Sequence, residues 1–136
     1  MSFVIDASVV IAWAFKEEHA NAELSFERIQ AEEAIAPSLW WYEVRNVLVL
    51  GERHGRLTER ETARFLRDIS RLAITLDSSP DEIQVLTLAR RHRLTVYDAA
   101  YLELARREAL PLATLDEELA TAARGAGVPL VGEAAR

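Results

Sequence analysis

Apolar positions recur along the chain in two ways. Short unbroken blocks at 3–5, 34–36, 73–76, 110–113 and 128–131 are too brief for helices and read as buried strands. Between them, apolar residues return at helical spacing. Residues 7–15 predict a short helix with Ser8 as its N-cap, and 21–31 a charged amphipathic helix. Ser38 is placed to cap a helix over 39–54, which Gly55 ends. Thr58 and Glu61 have capping-box spacing, and Phe65, Leu66, Ile69 and Leu72 carry one apolar face along the helix that follows. Ser79 as N-cap and Pro80 at the first helical position predict a helix to about His92. Another covers 96–108, and Thr114 with Glu117 makes a second capping box for a helix stopping at Gly125. Continuously apolar strands alternating with helices predict an α/β fold, a three-layer sandwich whose mostly parallel central sheet is flanked by helices. The 136 residues carry no repeat, linker or low-complexity tract and predict a single domain over 1–136.

Four acids interrupt that pattern. Asp6 closes the first strand, and Asp116 follows the strand at 110–113, in the first turn of the next helix. In an open parallel sheet both positions lie at carboxyl ends of strands, where such folds bind ligands. Each alone is equally a helix-start acid facing the macrodipole. Glu43 comes three after Trp40 and four before Val47, within an apolar stripe; Asp98 stands in the same relation to Tyr101, Leu102 and Ala105. A carboxylate facing a core is costly unless a cation or metal accompanies it. The alternatives are an ion pair with one of the arginines or a place at the stripe's edge. Taken together, the four suggest one acidic cluster, whose mutual repulsion calls for a divalent cation. Oxygen ligands alone favour Mg²⁺ or Mn²⁺ over Zn²⁺. His19, His54 and His92 fall outside these segments and read as surface or edge residues. An acidic cluster holding metal at strand ends suits hydrolytic phosphate chemistry, because the ion lowers the pKa of a bound water and clamps the reacting oxygens.

Composition narrows the classes. The absence of cysteine excludes a disulfide scaffold, thiol catalysis and thiolate metal sites. No apolar run approaches the roughly 20 residues of a membrane span. The N-terminal stretch lacks a basic region and is broken by Asp6, so neither a signal peptide nor a membrane association is expected, and the expected location is cytoplasmic. A net charge of −6 argues against loose binding to phosphate backbones. The charge is uneven, however. Arginines concentrate at 45–71 and 90–107, where RNA contacts and plain solvated helix faces are both open readings. No P-loop, G-x-S-x-G or G-x-G-x-x-G is present, so Walker-type hydrolysis, serine hydrolysis and dinucleotide binding lack support.

Four blocks now stand in order: V-I-D-A-S-V-V at the N-terminus, Trp41-Tyr42-Glu43-Val44 at mid-chain, Y-D-A-A-Y-L-E-L-A over 97–105 and L-A-T-L-D-E-E-L over 112–119. They resemble the signature blocks of PIN-domain nucleases, and their order and spacing resemble the VapC-type toxins of bacterial type II toxin–antitoxin systems. The resemblance runs from residue 3 to about 131. It implies metal-binding acids at Asp6, Glu43, Asp98 and Asp116. It also implies secondary roles for Ser8 and Thr114, the small polar residues beside the first and last acids; both are also plausible helix caps. The activity it implies is that of a Mg²⁺- or Mn²⁺-dependent endoribonuclease leaving a 5′-phosphate and a 3′-hydroxyl. The partners it implies are an RNA substrate, a cognate antitoxin laid across the active-site groove, and a second copy of the chain in a homodimer. Trp40 and Trp41 point about 100° apart on a helix. One is expected in the core and the other at a dimer or antitoxin contact.

Three other readings compete. A PIN nuclease of RNA maturation or decay would keep the chemistry and change the partner. An aspartate-phosphorylated domain fits poorly. A phosphatase of that kind wants an acid two after the first, where Ser8 stands, and a receiver wants a late lysine, whereas Lys16 is the only one. A non-catalytic binding module has no need for acids at all four positions.

Overall fold

The computed structural model of the chain describes residues 2–133. The first strand, β1 (Ser2–Ile5), runs into α1 (Ala7–Ala14) and α2 (Ala20–Ile29), which lead to β2 (Glu33–Pro37). Helices α3 (Leu39–Arg53) and α4 (Glu59–Ile69) connect β2 to β3 (Ile74–Asp77). Helices α5 (Glu82–His92) and α6 (Val96–Glu108) connect β3 to β4 (Leu112–Ala113), and α7 (Glu117–Gly125) follows. The four strands form one parallel sheet in the order β3-β2-β1-β4. Phe3, Val4 and Ile5 are wholly buried at its centre, which is why β1 is a continuous apolar run. Helix α1 packs on α2 and α3, while α6 packs on α5, α7 and the two central strands. The three-layer α/β sandwich expected from the alternation is the fold observed.

The strand order places the working edge. The chain builds outward from β1 through β2 to β3, then returns to lay β4 on the other side of β1. The sheet therefore reverses its winding between β1 and β4, the place in such sheets where ligands bind beyond the strands' carboxyl ends. Asp6 leaves β1 at this point, and Asp116 follows β4.

Several local expectations need correction. The expected strand at 110–113 shrinks to Leu112–Ala113, and that at 128–131 to a single bridge, Leu112 with Leu130. Pro111 and Pro129 have no N–H to donate, and only their carbonyls join the ladder, accepting from Val4 N (2.9 Å) and Leu112 N (2.9 Å). Ser79 is not the cap of α5. Asp81 is, its Oδ1 accepting from Gln84 N at 3.1 Å, and its own amide is held by Glu103 Oε1 at 3.2 Å. Thr114 does not cap α7, since Asp116 takes that place. Ser8 does not cap α1, and Ser38 reaches the N-cap position of α3 without a side-chain bond. The Thr58–Glu61 capping box forms with both reciprocal bonds, 3.1 Å and 3.0 Å. Gly55, at φ +73°, turns the chain out of α3 as expected. Gly51 has a packing reason instead: a Cβ there would stand 2.8 Å from Phe15 Cζ, so the Phe15 ring could not keep its place against α3.

Candidate functional site

Asp6 occupies the N-cap position of α1, yet its carboxylate makes no capping bond. It is 5% exposed and takes two hydroxyl bonds on one oxygen. Ser8 Oγ and Thr114 Oγ1 each donate to Asp6 Oδ2 at 2.7 Å. The direction of those protons is fixed by the backbone. Ser8 Oγ accepts from Leu115 N (3.0 Å) and Thr114 Oγ1 from Asp116 N (3.0 Å), so each hydroxyl has its hydrogen left for the carboxylate. The turn after β4 is thereby stitched to the end of β1. Both residues expected as possible caps instead position Asp6. Burial raises the Asp6 pKa, the Ser8 and Thr114 bonds oppose that rise, and the charge of Asp116 adds to it.

Asp116 caps α7 through Oδ1 alone, accepting from Glu118 N at 2.9 Å and Leu119 N at 3.2 Å. The helix-start reading of this acid is therefore correct, but it does not exhaust the residue, since its charge reaches both Asp6 and Asp98.

Glu43 and Asp98 arrive from the two helices whose N-termini meet this edge. In α3, Trp40, Val44 and Leu48 are buried, whereas Glu43 and Val47 are half-buried, so Glu43 lies at the margin of the stripe. Its partner is not an arginine but the buried Tyr101, whose hydroxyl donates to Glu43 Oε1 at 2.6 Å. Desolvation raises the Glu43 pKa, the Tyr101 bond opposes it, and the charges of Asp6 and Asp98 add to it. The Tyr101 hydroxyl is itself held far above its ordinary value by burial and by the charges of Asp6 and Glu43, so it stays a donor. Asp98 is half-buried in the first turn of α6; burial, Asp116, Asp6 and Glu118 push its pKa up to about 6.

The fold thus brings the four sequence-selected acids within range of one another's charge. None of them makes an ion pair among the described residues, which removes the arginine alternative for Glu43 and Asp98. As they stand, no three acidic or histidine side chains among the described residues close around one point as a ready cation cage. Charge and ligand type nonetheless fit an oxygen-preferring divalent cation: repelling carboxylates, Asp6 and Glu43 anchored by hydroxyls, with no basic side chain among the described residues to neutralise them. Two participants escaped the sequence. Tyr101 gave only an apolar-stripe signal, and Glu118, whose charge reaches Asp98, was one more acid in the run after Leu115.

Elsewhere, Glu103 is 2% exposed, and its charge is met by Arg107, which bonds Glu103 (Nε to Oε2, 2.8 Å) and grips Asp77 with both terminal nitrogens (3.1 and 2.8 Å). This network ties β3, α5 and α6 together. It shows what a buried acid looks like when its role is structural. His19 and His54 are exposed and His92 half-buried, as expected of surface or edge residues. Trp40 is the buried tryptophan at 4% exposure, and Trp41 the open one at 43%, with Arg45 stacked 3.9 Å over its ring. No helix among the described residues is long and apolar enough to cross a membrane.

Comparison with known proteins agrees with this fold. The PIN domain family profile matches residues 3–125. Ribonuclease VapC3 from Pyrobaculum aerophilum is 36% identical over 124 residues, covering 88% of this chain and 93% of that protein. The crystal structure of PAE2754 from Pyrobaculum aerophilum superposes with a TM-score of 0.68 at 27% identity, covering 90% of this chain and 87% of that one. In sequence and in fold, the chain belongs to the PIN-domain family, with the VapC-type nucleases among its relatives.

Proposed function

We propose that the chain is a metal-dependent endoribonuclease and the toxin of a toxin–antitoxin pair, with Asp6, Glu43, Asp98 and Asp116 as its Mg²⁺- or Mn²⁺-holding acids. The observation that carries this reading is a group of carboxylates without an ion pair among the described residues, in which burial and then the neighbouring acids raise the pKa values of Asp6, Glu43 and Asp98. Structural acids such as Glu103 are neutralised; these are not. Membership of the PIN-domain family and the similarity to a protein named a ribonuclease support RNA as the substrate.

A divalent cation bound here supplies a water of lowered pKa and stabilises charge on the phosphoryl oxygens. The rest of the work falls to the chain. Ser8 and Thr114 hold Asp6 in one orientation, and Tyr101 does the same for Glu43. Above about pH 6 Asp98 is ionised and able to take a cation; in more acid solution it holds a proton, so cation affinity falls with pH. In the reaction a water oxygen bonds to phosphorus, the bond from phosphorus to O3′ breaks, and O3′ gains a proton. The products are a 5′-phosphate and a 3′-hydroxyl. A homodimer in the cytoplasm, neutralised by an antitoxin, completes the proposal.

The test is cleavage of end-labelled total RNA by the purified protein with Mg²⁺, Mn²⁺ or EDTA, beside Asp6→Asn. Discrete products that need the metal and vanish in Asp6→Asn are expected. No cleavage together with no divalent binding by calorimetry would remove the enzyme reading. Growth arrest on expression, relieved by a neighbouring small gene product, distinguishes the toxin from a maturation or decay nuclease.

A further inference from the structure

Each of the two half-buried acids is preceded in the chain by an open tyrosine: Tyr42 before Glu43 is 70% exposed, and Tyr97 before Asp98 is 65% exposed. Both lie near the starts of helices joined by the Tyr101–Glu43 bond, and the charge of Asp98 reaches Glu43. Tyr97 stands one helical turn before Tyr101, on the same face of α6, and Tyr101 holds Glu43. Tyr97 is thus the open residue one turn nearer the α6 N-terminus on the face that carries Tyr101. Among the described residues Tyr97 has no hydrogen bond, ion pair or ring contact. Tyr42 meets only the edge of Trp41, at 5.0 Å between centroids and 69° between planes. Neither tyrosine is explained by the fold. An aromatic residue in a first turn has lower helix propensity than alanine, and its open ring buries nothing.

We infer that Tyr97 and Tyr42 are stacking platforms for the unpaired nucleobases on either side of the scissile phosphate, positioning the strand over the acids. This rests on the ribonuclease reading above. Two features favour RNA as the occupant over a second copy of the chain. Each tyrosine is the chain neighbour of one of the acids. The α5 end leading into Tyr97 also carries Arg90, Arg91 and Arg93, none in an ion pair among the described residues, so basic groups that could meet phosphates stand close in the chain to Tyr97. Aromatic faces stack any base, but only one free of its own helix, so the platforms select single-stranded segments without fixing their sequence.

The experiment measures binding, by fluorescence anisotropy in Mg²⁺, of a labelled twelve-nucleotide single-stranded RNA of mixed sequence and of the same RNA annealed to its complement. The parent protein is Asp98→Asn, to prevent turnover. Adding Tyr97→Ala should weaken single-strand binding about 5- to 100-fold, with a similar or smaller loss for Tyr42→Ala. Tyr97→Phe should bind within about twofold of the parent, and duplex binding should be weak and indifferent to all three changes. Because both side chains are open, the variants should melt with the parent by circular dichroism.

The assignment is overturned if Tyr97→Ala binds the single strand as the parent does, if phenylalanine loses as much as alanine, or if the parent binds no single strand. It is also overturned if either alanine variant changes the RNA-free mass by light scattering, which would make this face an interface between copies. Wild-type cleavage of total RNA separates the two levels. If it persists while the tyrosines prove inert, only the stacking falls; if it is absent along with RNA binding, the ribonuclease reading falls too.

Discussion

Replacing Asp98 with asparagine should stabilise the metal-free protein, and the size of the gain follows from the crowding of the site. The Asp98 pKa is pushed from 3.8 to about 6 by burial and by Asp116, Asp6 and Glu118. A folded-state pKa above the unfolded one means that the folded protein binds the proton more tightly. Stability is therefore greatest below about pH 4 and is lost as pH rises through about 6. At 1.36 kcal/mol per pKa unit the whole displacement corresponds to about 3 kcal/mol. Asp98 is only half-buried, and solvent screening of its open side reduces this to about 1–1.5 kcal/mol. Asparagine keeps the shape and carries no charge. In EDTA at pH 7.5 the Asp98→Asn protein should melt about 3–6 °C above wild type, a gap that closes toward pH 4. Added Mn²⁺ should reverse the order, because a ligand bound only by the folded state stabilises it, and wild type binds more tightly. Thermal melts by circular dichroism across this pH range decide the matter. A variant equal to or below wild type at pH 7.5 in EDTA would mean that Asp98 is held by a cation rather than repelled by acids, and the cluster argument would fail.

Other substitutions probe neighbouring parts of the argument. Glu43→Gln should weaken Mn²⁺ binding about tenfold or more by calorimetry, a loss of at least about 1.4 kcal/mol, and an unchanged affinity would take Glu43 out of the metal-holding group. Arg107→Gln should destabilise the protein by about 3 kcal/mol in urea unfolding, at the low end for a broken buried pair because Arg107 is itself 28% open to water. Much of that loss should return when Glu103→Gln is added, since the stranded charge is then removed. A loss below about 1 kcal/mol would mean that the Glu103–Arg107–Asp77 network does not hold β3, α5 and α6 together.

Some of this molecule was written in short-range pattern. The apolar run at Phe3–Ile5, the Thr58–Glu61 box, the Gly55 stop and the α6 stripe each depend on neighbours within a turn or two, so their residues alone announced them. The errors came where several nearby residues could do the same job. Ser79 and Asp81 both make good N-caps, and the choice fell to Asp81, whose backbone amide meets Glu103 from another helix. Thr114 and Asp116 were likewise rivals for the start of α7, and Thr114 was taken up by Asp6 across 108 positions of sequence. The strands at 110–113 and 128–131 were overestimated because their apolar character says nothing of how many ladder bonds a partner and two prolines leave available.

The candidate site divides along the same line. Four acids in unexpected places could be picked out because a carboxylate at a strand end or beside an apolar stripe is locally costly, and that cost is visible in the sequence. Whether each was capped, paired or crowded was not visible, because charges interact through space and the sequence does not carry the distances. Only the return of the chain from β3 to β4, beside β1, brings Asp116 to Asp6. Only the packed edge sets the Tyr101 hydroxyl on Glu43 and leaves the four acids without an arginine among the described residues. The sequence by itself determined the periodicities, the helix stops and the set of costly acids, since these are properties of adjacent residues. The tertiary structure decided which acids share a field and which side chains hold them, since electrostatics and hydrogen bonding follow distance in space.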